Sequence, residues 1–482
     1  SGVSSRIRSS PYAERLTRLL LRLIWDRGRL RASQIRGNDD MRSIGLIACA
    51  AALAFAAPAA AATLPFDPEL ATHAWLATMG PEATARSNAY FEGGYVIEYA
   101  SIAVSILVAG VFLVLGWARG VRTWLEKTVK WFPLVAFGTS FFYILVSSLL
   151  TFPFSYYVGF VREHRYDLST QTLPQWLAEQ GQGLGLALIL GSIFLTILYL
   201  IVRAARNTWW LWGAGVSIAF AAVLSMLFPV FIAPMFNTYT PMEQSELRDE
   251  IIAMAQANGV PATDVMVYDR SRQTNSISAN VSGFGPTTRI SLADTLLERG
   301  SPEAVRAVMA HEIGHYVLHH NISGLLLGSI VILFSFASVH FLFRAIAKNE
   351  RWGIRDIADP AGLPLVAALL VAIGIITGPI DRNLTRFNEQ QADMFGLNAA
   401  REPDGFAEAA IMLSEYRKME PSPLEEIFFY THPSGWNRVH NSMVWKAHEI
   451  AAGRLPPSPG GPPEGWVPDF VRERQAASPA PE

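Results

Sequence analysis

Apolar residues fill long blocks at about residues 93–118, 132–154, 182–203 and 209–235, and again at 321–344 and 361–380. Each block supplies the roughly 20 residues that a helix rising ~1.5 Å per residue needs to cross a bilayer core. The pattern predicts a four-helix membrane region over residues 63–235, a polar insert, and two further membrane helices over 321–380. Inside the insert, 236–320, the period changes: residues 243–258 repeat as a helix, 265–268 as a strand, and 276–293 as a hairpin around Gly283-Phe284-Gly285-Pro286. Residues 381–454 form a second polar, mostly helical piece, and the Pro-rich stretch 455–482 is expected to be disordered. At the other end, Met41-Arg42 leads into a shorter apolar run and then into alanines up to Ala62. Residues 41–62 read as a signal peptide with an A-x-A cleavage site or as a short first membrane helix, and residues 1–40 as an upstream segment outside the fold.

Composition agrees with a multi-pass protein of the inner cell membrane whose main partner is the lipid bilayer. Hydrophobic residues make up 51% of the chain and charged ones 17%, and the mean hydropathy is +0.24. The net charge of −2 carries no basic block beyond the N-terminus, which excludes a nucleic-acid partner. Cys49 is the single cysteine, so neither an intrachain disulfide nor a cysteine-rich metal site can form. Ten Lys and Arg (119, 122, 127, 130, 203, 206, 344, 348, 351 and 355) fall in alternate short loops, against three (86, 162 and 165) in the others. The positive-inside bias makes the richer loops cytoplasmic and predicts a periplasmic polar insert, on the side to which a signal peptide would deliver the chain.

The chemistry-bearing stretch is His311-Glu312-Ile313-Gly314-His315. Two histidines four apart on a helix share one face, so both imidazoles can reach one metal ion, with Glu312 beside the ion's open side. Ser301 can cap such a helix, Pro302 suits its first turn, and Val305, Val308, Met309 and Ile313 supply an apolar face. Two unrelated polar histidines would leave the same spacing, so a third ligand is the discriminating feature. A catalytic zinc takes three protein ligands and a water. His319 lies about 12 Å along the axis from His311, too far for one ion, and is expected to be a polar neighbour. Among Asp356, Asp359, Asp381, Glu389 and Asp393, the pair Glu389 and Asp393 sits four apart on a helix-like stretch. Glu389 is the expected ligand and Asp393 the partner that orients a ligand histidine.

These pieces stand in order with others: Phe160-x-x-Glu163, Gln171-Thr172, Pro234-x-Phe236-Asn237, Asp294-Thr295-Leu296-Leu297, Arg386-x-x-Glu389-x-x-Ala392-Asp393, and His432-Pro433 with Arg438. From about residue 68 to residue 440 the chain resembles the integral-membrane CAAX prenyl protease family, type I, zinc metallopeptidases of the gluzincin kind. The resemblance implies a mostly α fold, a multi-pass membrane helical bundle enclosing a chamber with a small α+β zincin-like insert. It implies zinc on His311, His315 and Glu389, Glu312 as catalytic base, and His432 and Arg438 near the scissile carbonyl. Ser278-Ala279, where the family has Asn-Ala, is implied to bind the substrate strand. The expected activity is zinc-dependent endopeptidase hydrolysis of a peptide or protein substrate, including membrane-associated ones, in processing or quality control of membrane and exported proteins. Family members keep the catalytic pieces towards the cytosol, opposite to the charge count. The rival reading is a non-proteolytic escort or transporter with a structural zinc. Such a site is normally closed by four ligands, often cysteines.

Overall fold

The computed structural model describes residues 64–283, 288–347 and 352–477. The signal-like stretch, the segment ahead of it and the hairpin tip at 284–287 lie outside the described residues. Asp67 caps α1 (Pro68–Ala77) by accepting from Glu69 N at 2.8 Å. The membrane region follows: α2 (Gly80–Leu115), the short α3 (Trp117–Thr128), α4 (Phe132–Arg165), α5 (Leu173–Ala204) and α6 (Trp209–Phe236). The 36 residues of α2 span about 54 Å at ~1.5 Å per residue, well beyond a hydrocarbon core of about 30 Å. Its first turns, which the apolar pattern left out, therefore rise clear of the bilayer and meet the polar part of the molecule.

That polar part begins with β1 (Tyr239–Pro241), α7 (Glu246–Ala257) and β2 (Val265–Tyr268), then β3 (Ala279–Ser282) and β4 (Arg289–Ala293). The sheet runs β1-β2-β4-β3, with β2 and β4 parallel and both outer pairs antiparallel. Ala279 stands opposite Leu292 and Ser282 opposite Arg289, which leaves β3 as an edge strand. Behind the sheet, Ile251, Val265, Ile290 and Leu292 pack with Leu296 of α8 (Asp294–Arg299) and with Val305, Met309 and Ile313 of α9 (Pro302–Val317). The apolar stripe of α9 thus faces the sheet, and the histidine face looks away from it.

Two more long helices, α10 (His320–Ile346) and α11 (Leu363–Ala400), complete the six that are long and apolar enough to cross a membrane among the described residues. The domain boundary expected at residues 380 and 381 falls inside α11. Pro379 lies within that helix without ending it, and the Asn383 side-chain amide donates to Pro379 O at 2.6 Å one turn further on. The apolar and polar halves of α11 are one rod, so Glu389 and Asp393 are mounted directly on a membrane helix.

α12 (Pro403–Met412) packs on α9, α13 (Pro423–Phe429) on α11 and α14 (Gly435–Ala451) on α12, with α15 (Asp469–Ala477) at the end. The stretch expected to be disordered packs instead. Phe470 and Val471 are buried with Trp75, Met79, Val439 and Met443, Trp466 meets Trp75 edge to face at 5.0 Å, and Lys446 Nζ donates to Pro459 O at 2.6 Å. Proline removes backbone donors but not the chance to bury aromatics, and three large apolar side chains here outweigh the composition.

α9 and α12 approach so closely that a side chain on Gly405 would run into the Glu303 carbonyl and lie 2.8 Å from Ala304 N. Gly405→Ala is expected to destabilise the protein by roughly 1–3 kcal/mol through forced separation of the two helices. Thermal unfolding in detergent checks this: an unchanged melting temperature would mean the helices part freely.

Candidate active site

Ser301 starts α9 at a defined place: its hydroxyl accepts from Ala304 N at 3.1 Å, and Glu408 of α12 accepts from Ser301 N and Oγ at 2.9 and 2.8 Å. From that start His311 and His315 come round to the face that meets α11. Gly396 permits the approach, since a Cβ there would stand 3.0 Å from His311 N. His311 Nε2 then lies 3.1 Å from His315 Nε2 and 3.2 Å from Glu389 Oε2, and His315 Nε2 is 3.5 Å from Glu389 Oε1. Tetrahedral ligands at about 2.0–2.1 Å from one ion are about 3.3 Å apart, so these spacings fit a single metal. All three ligand atoms lie within 4.8 Å of one another. Glu389 Oε2 is buried and receives no hydrogen bond among the described residues, although two imidazole nitrogens stand 3.2 Å from it. A cation at the centre of the cluster is the partner this oxygen lacks.

Asp393, one turn beyond Glu389, is buried with Oδ1 2.8 Å from His311 Nδ1. A carboxylate at that distance favours the tautomer with the proton on Nδ1, which leaves Nε2 for the cluster. Arg438 of α14 holds Asp393 bidentately, Nε to Oδ2 at 3.0 Å and Nη2 to Oδ1 at 2.7 Å. The resemblance implies Arg438 near a scissile carbonyl; two of its five donors are committed to Asp393, and its side chain also lines the cleft.

The cleft, of about 350 Å³, is lined by Ser278 and Ala279 at the start of β3, by His311 and Glu312, and by His432 and Arg438. All nine site residues expected from the sequence thus meet at one place. Burial raises the Glu312 carboxyl above the ordinary range, against the pull of the two histidines. His432 is pushed down to about 3, first by burial and then by the Arg417 guanidinium, so its imidazole is neutral at working pH. Its Nδ1 stands 2.9 Å from the Thr431 hydroxyl. If the hydroxyl donates, Nε2 bears the proton and presents it to the cleft.

Residues 241–443 match the profile of peptidase family M48, and residues 73–238 match that of the CAAX prenyl protease N-terminal region, described as five membrane helices. The chain belongs to the CAAX prenyl protease family of M48 peptidases. CAAX prenyl protease 1 of Saccharomyces cerevisiae is 27% identical over 311 residues, covering 60% of this chain and 68% of the yeast protein. The uncharacterized metalloprotease YhfN of Bacillus subtilis is 25% identical over 368 residues, 76% of this chain and 86% of that one. The crystal structure of Ste24p from S. mikatae shares the fold, with a TM-score of 0.64 at 23% identity over 78% of this chain and 95% of that one. This CAAX prenyl protease family member is a multi-pass membrane metalloprotease, a peptide hydrolase with a chamber-forming helical bundle. The escort or transporter reading is not favoured. The cluster holds three candidate ligands, none of them cysteine, and opens on a cleft.

Of the other acids weighed as ligands, Asp359 is buried 3.5 Å from Arg122 and away from the cluster, while Asp381 is exposed. Glu98 pairs with Arg382 at 2.7 Å. A neighbour of the family's metal cluster that the sequence reading passed over is His320. His319, taken for the polar neighbour, has φ 54°, breaks the helix and faces solvent. That left-handed turn swings His320 back so that its Nδ1 lies 2.9 Å from His315 Nδ1, with Nε2 3.1 Å from Gln391 Oε1. The adjacent histidines were visible, but the turn that selects between them is not a helical periodicity.

Proposed function

We propose that His311, His315 and Glu389 hold a zinc ion and that the cleft hydrolyses peptide bonds of membrane-associated or exported proteins. The observation that carries this is the buried Glu389 oxygen lacking a partner at the centre of a two-histidine, one-carboxylate cluster open to a cleft. Zinc bound there supplies Lewis acidity, which acidifies water and polarises a carbonyl. Glu312 takes the proton from the attacking water and passes it to the leaving amine; its raised pKa suits both halves of that task. Neutral His432 donates from Nε2 to the carbonyl oxygen as negative charge develops there. Arg438 acts chiefly by locking Asp393, and through it His311. An extended peptide lies along the free edge of β3, its main chain pairing beyond Ser278 and Ala279.

The test is hydrolysis of an unprenylated peptide and of a farnesylated one by the purified protein in detergent. Cleavage of either, lost with a chelator and restored by zinc, is expected. Zinc-loaded protein that cleaves neither sinks the reading. The bias of basic residues towards the opposite loops supports a periplasmic cleft. An alkaline phosphatase fused behind Glu482 is then active, and a silent phosphatase with a bright green fluorescent fusion reverses the assignment.

A further inference from the structure

Past α12 the chain makes a tight turn whose buried and half-buried charged side chains are, with one exception, paired among the described residues. Glu415 is held by Arg299 at 3.0 Å. Lys418 Nζ reaches Glu92 at 2.7 Å and Glu425 at 2.8 Å, on the side of α2 and α13. The backbone is pinned as well: Ser87 Oγ donates to the carbonyls of Ser414 and Arg417, and Tyr430 OH donates to Lys418 O at 2.8 Å. Between these, the half-buried Arg417 has neither a carboxylate nor a carbonyl on its guanidinium among the described residues. Its guanidinium carbon lies over the Tyr416 ring, 5.9 Å from the ring centre.

Arg417 points into the cleft. It lines both the cavity of about 350 Å³ beside Glu312 and an adjoining one of about 270 Å³ formed with Phe91, Phe429 and Tyr430. His432 and Arg438 are common to both walls, so Arg417 stands at their junction. The charge around it is one-sided. Arg270, Arg417 and Arg438 line the two cavities, against Glu312 alone among their acidic lining residues. Arg270 is engaged by Ser276 O and Oγ at 3.0 and 2.8 Å, and Arg438 by Asp393. A half-buried guanidinium with five donors and no acceptor is costly unless a ligand supplies one. The acceptor that matches its planar fork is a carboxylate, taken through two parallel hydrogen bonds.

Building on the metalloprotease reading, we propose that Arg417 is the specificity residue of this cleft and binds a carboxylate of the substrate peptide. The carboxylate is either the free C-terminus or an acidic side chain near the scissile bond. Because Arg417 and His432 share one wall, cleavage falls close to the bound carboxylate. Peptides lacking one are cleaved poorly.

The experiment uses four versions of one peptide, with a free or amidated C-terminus and with Glu or Gln near the scissile position. The full-length protein and Arg417→Gln are compared by kcat/KM. The intact enzyme is expected to prefer a carboxylate-bearing version by at least tenfold, mostly through KM. Arg417→Gln collapses that preference towards one, and Arg417→Lys restores part of it. An effect of amidation identifies the C-terminus as the source, and an effect of Glu→Gln identifies the side chain. Equal turnover of all four by the intact enzyme overturns the proposal, as does an unchanged preference in Arg417→Gln. Binding of the same peptides to the Glu312→Gln protein, read by fluorescence anisotropy, needs no turnover. There, loss of carboxylate discrimination in the Arg417→Gln double variant supports the proposal and retained discrimination refutes it. A failure of peptidase activity is thereby separated from a failure of carboxylate binding.

Discussion

Glu312→Gln is expected to lower kcat by about 10²–10⁴-fold, the usual worth of a positioned general base, with zinc content unchanged. The amide keeps the shape of the carboxylate and cannot accept a proton from water. Glu312 lines the cleft and takes no part in the three-residue cluster, so the ion's ligands survive the change. Its surroundings also make the effect specific. Burial raises the carboxyl's proton affinity while His311 and His315 restrain it, an environment suited to holding a proton and releasing it. Single-turnover hydrolysis combined with elemental analysis of the purified variant is the check. A rate within threefold of the parent at equal zinc would remove Glu312 from the mechanism.

Glu389→Gln is expected to cost both activity and metal. The loss in zinc affinity should exceed the roughly 10–100-fold that follows from removing a residue one step behind the ligands. Glu389 is the one carboxylate of the cluster, its Oε2 is buried without a hydrogen bond, and three imidazoles surround it: His311 and His432 at 3.2 Å, His315 at 3.5 Å. A neutral amide there removes the negative charge that balances the ion and turns an NH₂ group towards nitrogens that should be donating to metal. Equilibrium dialysis against buffered zinc separates the two variants. Glu312→Gln keeps its ion and loses the rate, while Glu389→Gln loses the ion and regains some rate at high zinc. Full zinc occupancy of Glu389→Gln in buffered zinc would require another ligand.

How much of the site can be read from the chain depends on how far apart its pieces lie along it. His311, Glu312 and His315 are legible because helical geometry alone brings residues i and i+4 together, and the capping Ser301 announces the helix. Glu389 and Asp393 are legible as a pair for the same reason. That this pair faces those histidines is a matter of packing, made possible where Gly396 admits the backbone of His311. The resemblance pointed to His432 and Arg438. It did not convey that Arg438 grips Asp393 with two hydrogen bonds, because the partner of a long side chain depends on which helices cross.

Hydrophobic patterning by itself determined the six membrane helices, since a helix that crosses a bilayer needs about 20 apolar residues in a row. It also set the small sheet's strands near 265–268 and 276–293, and the two-histidine helix. Only the tertiary structure decided that α11 runs unbroken from membrane to metal cluster, because a proline at the end of an apolar run reads from the chain alone as a stop. Only it decided that residues 456–477 pack, through aromatics whose partners lie on the first helix and on α14. The pairing of His320 with His315 and the lack of a partner on the Arg417 guanidinium among the described residues belong to the same class. Each depends on which groups stand within about 3 Å across the fold, and neither leaves a periodicity in the chain.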